Sequence, residues 1–355
     1  MSDFKINNIT NRSGDGGSVI AGVSTVSTSA FMVMPSGNTE IRGAGSGRGV
    51  MAGGAESLSS PYTISDRMQF ITIATTGNAI DFGNLSIARY YVRGTASSTR
   101  GVFAGGTVPG PSVTDTIDYV IISSGGGAQD FGDMSINRNG LAAFGNQTRG
   151  VLAGGYTTPL NTQTSLIEFV NIATTGNVNN FGELPRFGRE LMAGFASPTR
   201  GIIAGGARGA ITTQIESDIQ FVTIATGGNS QRFGELSRLR FRLPGASNST
   251  RGLTFGGRYP GQVGVNEIDY ITIATEGNAQ DFGDLTAAGH ESGALASSTR
   301  GINFGGESAP NSGSLFKTIE YVTIATTGNA TDFGDLLAVV GDDPAGCSDV
   351  HGGLG

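Results

Sequence analysis

A short apolar run enclosed by Arg-Gly and a double glycine recurs six times along this chain. One copy is TRGVFAGG, from Thr99 to Gly106. The other copies begin at Gly47, Thr148, Thr199, Thr250 and Thr299. Their arginines lie 49 to 52 residues apart, and a repeat period near 50 indicates a propeller, a solenoid or another repeat array.

Each repeat continues with a run in which apolar residues alternate with polar ones, such as IDYVIISS from Ile117 to Ser124. This period of two predicts a strand with one buried face. A Gly-Asn pair such as Gly77-Asn78 then predicts a tight turn, and Phe-Gly-acid-Leu predicts a third strand. A stretch of small residues such as 141–146 completes four strands per unit, with no helix signal.

Four-stranded antiparallel units repeated around a ring are typical of a β-propeller, so the predicted fold is all-β with six blades. We expect the last strand, within 337–349, to pair with Val50 to Gly54 and close the ring. Residues 1–45 lie outside the repeat and hold two predicted strands, Ser18 to Val26 and Ala30 to Met34. The predicted domains are an N-terminal β arm, 1–45, and the propeller, 46–355.

The composition excludes several classes of function. A net charge of −7 argues against nucleic-acid binding through phosphates. The single cysteine, Cys347, excludes an intramolecular disulfide framework and a cysteine-based zinc site. No apolar segment resembles a signal peptide or a membrane span, so we expect a chain made in a cytosol without membrane insertion.

The repeat resembles the kelch repeat. The marks of that family correspond here to Arg138, the small residues 141–143, Val151 to Gly155 and Phe169. The equivalent arginine recurs at Arg89, Arg189 and Arg240, whereas Gly289 and Val340 replace it in the last two units. The chain has no tryptophan, so the late Trp of the family is missing. The resemblance covers 46–355 and implies a propeller, without implying a chemistry.

A second, narrower resemblance concerns IEYVTIATTGNATDFGDL, Ile319 to Leu336, combined with TRGVFAGG. This combination is similar to repeats in virion structural proteins of marine tailed bacteriophages, cyanophages in particular. The leader 4–31 is similar to N-terminal modules that such proteins share. The resemblance implies that the arm attaches to other virion subunits, that the propeller faces outward, and that the chain is a homo-oligomer in the particle.

No constellation for catalysis stands out. His290, His351 and Cys347 have no partners at the spacings of a metal site or a nucleophile–base pair, so we predict no catalytic residues, no metal and no cofactor. Acids such as Asp118 and the arginines of Arg-Gly recur from unit to unit. Repetition favours a role in the fold, since a catalytic pair needs two different environments.

The loops are the more informative candidates. Antiparallel strands place the Gly-Asn and Ser-Thr-Arg-Gly turns at one end, and the variable loops that follow each double glycine and each Phe-Gly-acid-Leu at the other. Variable loops on a rigid scaffold commonly carry binding sites. The predicted binding residues in these loops are Tyr90, Tyr91, Tyr156, Arg208, Arg258 and Tyr259.

The first functional hypothesis is therefore a non-enzymatic phage virion protein, a tail-associated or surface appendage. Its propeller would contact the host envelope through a cell-surface glycan or protein. The alternative is a purely structural virion component, such as a capsid decoration or a tail adaptor. A polysaccharide-active propeller enzyme is the third hypothesis.

Overall fold

A computed structural model describes residues 47–354, apart from short gaps at 60–61, 111, 159, 161, 186, 210–213, 262 and 309–313, together with Ser24–Thr25 and Met32–Val33. The chain divides into two compact units, Met1–Gly43 and Ala44–Gly355. In the first unit Ser24–Thr25 pairs antiparallel with Met32–Val33. These pairs lie within the two strands predicted for the arm, and the rest of both predictions lies outside the described residues.

The second unit is all-β and propeller-like. Its described part contains six antiparallel sheets, each built on four main strands. We number the sheets 1 to 6 along the chain. Within each sheet we call the strands first to fourth, in the order in which they lie side by side. The first strands are Ala345–Ser348, Arg93–Ala96, Ala142–Gly145, Ala193–Ala196, Gly245–Ser247 and Gly293–Ala296. The second strands are Arg48–Ala52, Arg100–Ala104, Arg149–Ala153, Arg200–Ala204, Arg251–Phe255 and Arg300–Phe304. The third strands are Arg67–Thr72, Thr116–Ile121, Leu166–Asn171, Asp218–Thr223, Val265–Thr272 and Thr318–Thr323. The fourth strands are Ile80–Asn84, Gln129–Asp133, Asn179–Glu183, Gln231–Glu235, Gln280–His290 and Thr331–Asp335.

Shorter strands lie in the connections. They are Ala55–Ser57, Thr63–Ile64, Thr107–Val108, Ser112–Val113, Arg138–Asn139, Tyr156–Thr157, Thr162–Gln163 and Glu307–Ser308. Glu307–Ser308 pairs with the end of the long fourth strand of sheet 5. A 3-10 helix, Gly352–Leu354, follows the last strand. None of the helices described is long and apolar enough to cross a membrane.

Sheet 1 combines strands from the two ends of the second unit. Its first strand, Ala345–Ser348, pairs antiparallel with Arg48–Ala52, with Val50 opposite Cys347. The predicted pairing of Val50 to Gly54 with a strand within 337–349 is confirmed for Val50 to Ala52, whereas Gly53 and Gly54 lie outside the paired residues. The Asp349 carboxylate also accepts a hydrogen bond from the Arg48 N–H at 2.9 Å. In sheet 2 the Ser97 hydroxyl accepts the equivalent hydrogen bond from the Arg100 N–H at 3.1 Å, within the turn that joins the first and second strands. Asp349 and Arg48 therefore make the contact of this turn although no turn connects them along the chain.

The core lies between the sheets. Six buried apolar clusters each join two sheets. Five of them join consecutively numbered sheets, and the sixth joins sheets 6 and 1. Between sheets 1 and 2, for example, Phe82 packs with Phe103 and Val120, and between sheets 6 and 1, Phe333 packs with Ile71. The first strands also contact one another in this order, and together they line a cavity of about 50 Å³.

The arginines of Arg-Gly fasten neighbouring sheets, which confirms their predicted role in the fold. Arg100 donates to the carbonyls of Ile172 and Ala173 in the next sheet, at 3.1 and 2.9 Å. Its guanidinium also lies 4.8 Å from the ring centre of Tyr119 in its own sheet. The other five arginines of this set make the same two kinds of contact: Arg48, Arg149, Arg200, Arg251 and Arg300.

The Gly-Asn pairs do not form the tight hairpins that the sequence predicted. Third and fourth strands are joined by seven residues, 73–79 in sheet 1, and the Gly-Asn pair in this segment contacts a neighbouring sheet. The Gly77 N–H donates to the Phe333 carbonyl of sheet 6 at 2.8 Å. A Cβ on Gly334 would clash with the Gly77 carbonyl oxygen, so the missing side chain of Gly334 allows the two backbones to touch.

The third strands depart from the predicted alternation at one position. Their pairing with the fourth strand shifts register between Ile117 and Asp118, and at the equivalent place in the other five sheets. Such a β-bulge redirects a side chain, and here it turns the repeated acid into the core. Asp118 is fully buried, with its carboxylate 2.7 Å from the Arg89 guanidinium. The predicted role of the repeated acids in the fold is therefore confirmed for Asp118, whose partner Arg89 is not one of the arginines of Arg-Gly.

Candidate functional site at the loop face

The loops that connect second to third strands, and those that follow the fourth strands, emerge at the same end of the sheets because all neighbouring strands are antiparallel. We call this end the loop face. It comprises the described residues of 53–66, 85–92, 105–115, 134–141, 154–165, 184–192, 205–217, 236–244, 256–264, 291–292, 305–317 and 336–344.

A circle of backbone hydrogen bonds holds the centre of the loop face. Six equivalent residues, one before each first strand, have φ between 53° and 58°: Tyr91, Gly140, Leu191, Arg242, Glu291 and Asp342. The Gly140 N–H donates to the Tyr91 carbonyl, Leu191 to Gly140 and Arg242 to Leu191. The Glu291 N–H then donates to the Arg242 carbonyl, the Asp343 N–H to the Glu291 carbonyl, and the Tyr91 N–H to the Asp342 carbonyl. Five of the six are not glycine, and this left-handed conformation is uncommon for such residues.

Charged side chains of this circle form a cluster with charged side chains of neighbouring residues. Arg242 forms an ion pair with Glu291. Arg93 lies 3.2 Å from Asp343. We call this group the central cluster, and its members are Glu190, Glu291, Glu307, Asp342, Asp343, Arg93, Arg242, Arg258 and His290.

Burial dominates the electrostatics of the central cluster. It raises the pKa of the carboxyl groups of Glu190, Glu307, Asp342 and Asp343. Burial, reinforced by the positive charges of Arg258 and Arg242, lowers the pKa of His290 to about 3. The imidazole is therefore neutral in the folded protein at neutral pH.

Replacing His290 by Asn should reduce the loss of stability at acidic pH. Below about pH 6.5 the unfolded chain protonates His290 and the folded chain does not, so this one titration contributes a loss of about 1.4 kcal/mol per pH unit to the stability of the wild type, down to the folded pKa. Asn has no such titration. Urea unfolding followed by far-UV circular dichroism at pH 7.5, 6 and 5 measures the two slopes. If the free energy of unfolding has the same pH dependence in His290→Asn and in wild type, His290 does not have a lowered pKa in the folded protein.

Three of the predicted binding residues meet near the central cluster. The rings of Tyr90 and Tyr91 lie 4.9 Å apart, and Tyr62 lies 5.7 Å from Tyr90. Arg258 lies 3.8 Å from Glu307. Burial raises the pKa of Tyr91 well above its usual range.

The other three predicted binding residues lie in separate surroundings. Arg208 pairs with Glu216 and lies over the ring of Phe187, at 4.9 Å. The Tyr259 ring lies 5.2 Å below the Arg238 guanidinium, and burial together with the nearby Glu267 carboxylate raises the pKa of Tyr259 to about 12. Tyr156 lies in the strand Tyr156–Thr157, opposite Asn139. The structure thus assembles half of the predicted set into one place.

Sequence reasoning missed the buried acids and His290. Glu307 comes 17 positions after His290, in the loop of the next repeat, and only the register His290 opposite Glu307 places the two side by side. Gly341-Asp342-Asp343 breaks the repeat, but nothing in the sequence shows that its acids are buried. The one available signal was that His290 and Glu291 stand where other repeats have residues such as Tyr90 and Tyr91.

Exposed apolar side chains concentrate on the loop face. Of the nine large apolar side chains that are exposed in the described part of the chain, seven lie there. They are Tyr62, Ile87, Leu160, Phe187, Leu239, Val263 and Leu337. The remaining two, Ile80 and Ile121, lie at the ends of strands next to the opposite face.

Protein-family models and curated proteins give no match to this chain. The kelch-like repeat and the phage-like segments therefore stand as resemblances of sequence.

Proposed function

We propose that the six sheets are the blades of a closed β-propeller. Three kinds of contact between sheets 6 and 1 support this arrangement, because they repeat the contacts between other neighbouring sheets. They are the Arg300 bond to the Ile73 carbonyl at 2.8 Å, the contact of Gly334 with Gly77, and the shared apolar cluster. Closure makes the loop face a rigid platform, which favours binding with little reorganisation.

We propose that this propeller is a non-enzymatic binding module and that its loop face contacts the partner. The observation that carries this proposal is the concentration of exposed apolar side chains on that face. Such side chains commonly mark interaction surfaces when they cluster. Three ion pairs of the central cluster, Arg93 with Asp343, Arg242 with Glu291 and Arg258 with Glu307, lie within this face and would support its shape.

The setting of this binding is proposed from the resemblance to phage virion proteins. The arm, 1–45, would attach the chain to other virion subunits, with several copies in the particle. The propeller would be a tail-associated or surface appendage, and its partner a glycan or protein of the host envelope. The chain would be assembled into the virion in the host cytoplasm.

Replacing Phe187 and Leu239 by serine should weaken binding to host cells by at least about tenfold, because both side chains present apolar area to a partner. Phe187 is 57% and Leu239 43% exposed, so folding should change little. The purified full chain, fluorescently labelled, would be titrated onto cells of the bacterium on which the phage grows.

The matched control is a chain in which Ile80 and Ile121 become serine, since these side chains are 58% and 39% exposed and lie at the other end of the sheets. It should bind as wild type does. If both double variants bind equally, the loop face is not the binding surface. If wild type does not bind cells while the loop-face variant fails to enter particles, the chain is a structural component, and the binding proposal is wrong.

A further inference from the structure

His290 is a buried polar side chain without a hydrogen-bond partner. It ends the long fourth strand of sheet 5, Gln280–His290, and its side chain has 0% exposure. Neither ring nitrogen makes a hydrogen bond to any residue that the structure describes. A buried imidazole without partners costs free energy, because both nitrogens lose their bonds to water.

Two carboxylates surround this imidazole. Glu307 lies opposite His290 in the paired strands, so both side chains project from the same side of the sheet. Glu291 follows His290 directly, and its φ of 57° turns its side chain toward the same point. One ligand atom from each of the three residues lies within 4.8 Å of the others, and His290 Nδ1 is 3.9 Å from Glu291 Oε2.

The central cluster also has more acids than bases. Its acids are Glu190, Glu291, Glu307, Asp342 and Asp343, and its guanidinium groups are Arg93, Arg242 and Arg258. With a neutral imidazole, full ionisation leaves an excess of two negative charges. Uncompensated buried charge is costly, and one divalent cation would balance this excess.

We propose that His290, Glu291 and Glu307 bind a divalent transition-metal ion of the zinc type. One imidazole nitrogen and two carboxylate oxygens are a ligand set that such ions accept, whereas magnesium and calcium prefer oxygen alone. Tetrahedral ligands about 2.1 Å from the metal are about 3.4 Å apart, so the ligand atoms, now within 4.8 Å of one another, must approach by up to about 1.4 Å to complete the site. Arg242 and Arg258 pair with the two carboxylates and therefore compete with the ion for them.

The test is a Zn²⁺ titration of the full, tag-free chain after treatment with a chelator. Calorimetry should give one ion bound per chain, and bound Zn²⁺ should raise the thermal unfolding midpoint. Mg²⁺ at the same concentration should do neither. Co²⁺ should give visible absorption bands of a site with nitrogen and oxygen ligands, which reports on the ligands without a mutation.

Two variants remove ligands: His290→Asn and Glu307→Gln should each weaken Zn²⁺ binding by more than about tenfold. His351→Asn is the matched control, since His351 lies at the lined cavity and its Nε2 is 2.7 Å from the Ala96 carbonyl oxygen. It should bind Zn²⁺ as wild type does. Arg258→Met keeps all three ligands and removes a competing cation, so it should bind more tightly.

Absence of saturable Zn²⁺ binding by wild type would overturn the proposal. So would unchanged affinity in folded His290→Asn, or a loss of affinity in His351→Asn alone. If the ligand variants fail to fold, the Co²⁺ spectrum of wild type and the Zn²⁺ affinity of Arg258→Met decide whether the site exists. Bands of an oxygen-only site, or weaker binding by Arg258→Met, would refute the site. Binding to host cells does not enter this test, so its outcome is separate from that of the proposed function.

Discussion

A chain that ends at Pro344 should lose most of its stability, by about 5 kcal/mol or more, which is comparable with the whole free energy of unfolding of many domains. The deletion removes Ala345–Ser348, the first strand of sheet 1. Arg48–Ala52 then becomes an unpaired edge, and the cluster that contains Phe82 and Phe103 loses Cys347. Urea unfolding followed by far-UV circular dichroism measures the loss.

A chain that ends at Asp349 is the control for this deletion. It keeps the strand, the Asp349 bond to Arg48, and the hydrogen bond from Ser348 to the Ala296 carbonyl at 2.5 Å. It loses the bond of His351 to Ala96. We expect it to unfold close to wild type. Equal midpoints for the chains that end at Pro344 and at Asp349 would mean that the last strand contributes nothing.

Replacing Arg89 by valine should cost about 3 to 5 kcal/mol, the usual cost of breaking a buried ion pair from one side. Neither Arg89 nor Asp118 has an exposed side chain. Arg89 also donates to the carbonyls of Gly105 and Thr116, at 3.1 and 2.9 Å. The variant leaves the Asp118 charge buried with only Ser86 as a hydrogen-bond donor. The urea midpoint measures the effect.

The protein contains its own control for this pair. At the boundary of sheets 6 and 1, Val340 occupies the place of Arg89 and Gln69 that of Asp118. The Gln69 side chain accepts a bond from the Leu337 N–H at 2.8 Å, as Asp118 does from Ser86. The double variant Arg89→Val with Asp118→Gln should therefore recover much of the lost stability, because no charge remains buried. If it is no more stable than Arg89→Val, the cost does not come from the unpaired acid.

The sequence predicts the strand order well because the repeat samples the same unit six times. Arg-Gly, the double glycine and Phe-Gly each mark one place in every unit, so an error in one copy is corrected by the others. The burial of Asp118 could not be predicted in this way. Alternation assigns it to a polar face, and the bulge that turns it inward depends on pairing with the fourth strand and on Arg89 from the preceding unit.

The candidate site was harder to predict than the fold because it lies where the repeat fails. Tyr90 and Tyr91 could be selected as variable aromatic loop residues, and they lie together. Their neighbours Arg242 and Asp342 come from units about 150 and 250 residues farther along the chain. The backbone of these residues is left-handed, which directs their side chains inward. Because they are not glycine, the residue types give no sign of this conformation in the sequence.

An engineered disulfide tests directly whether the ring of sheets is closed. Val50 lies opposite the single native cysteine, Cys347, in the pairing of Arg48–Ala52 with Ala345–Ser348. Paired residues of neighbouring strands are within the distance that a disulfide spans. Val151 is the equivalent of Val50 in sheet 3 and serves as the control.

The measurement is mass spectrometry after oxidative refolding and digestion without reduction. The Val50→Cys chain should give a peptide linked through residues 50 and 347. The Val151→Cys chain should keep two free thiols. A folded Val50→Cys chain with both thiols free, or an equal link in Val151→Cys, would contradict the closed propeller.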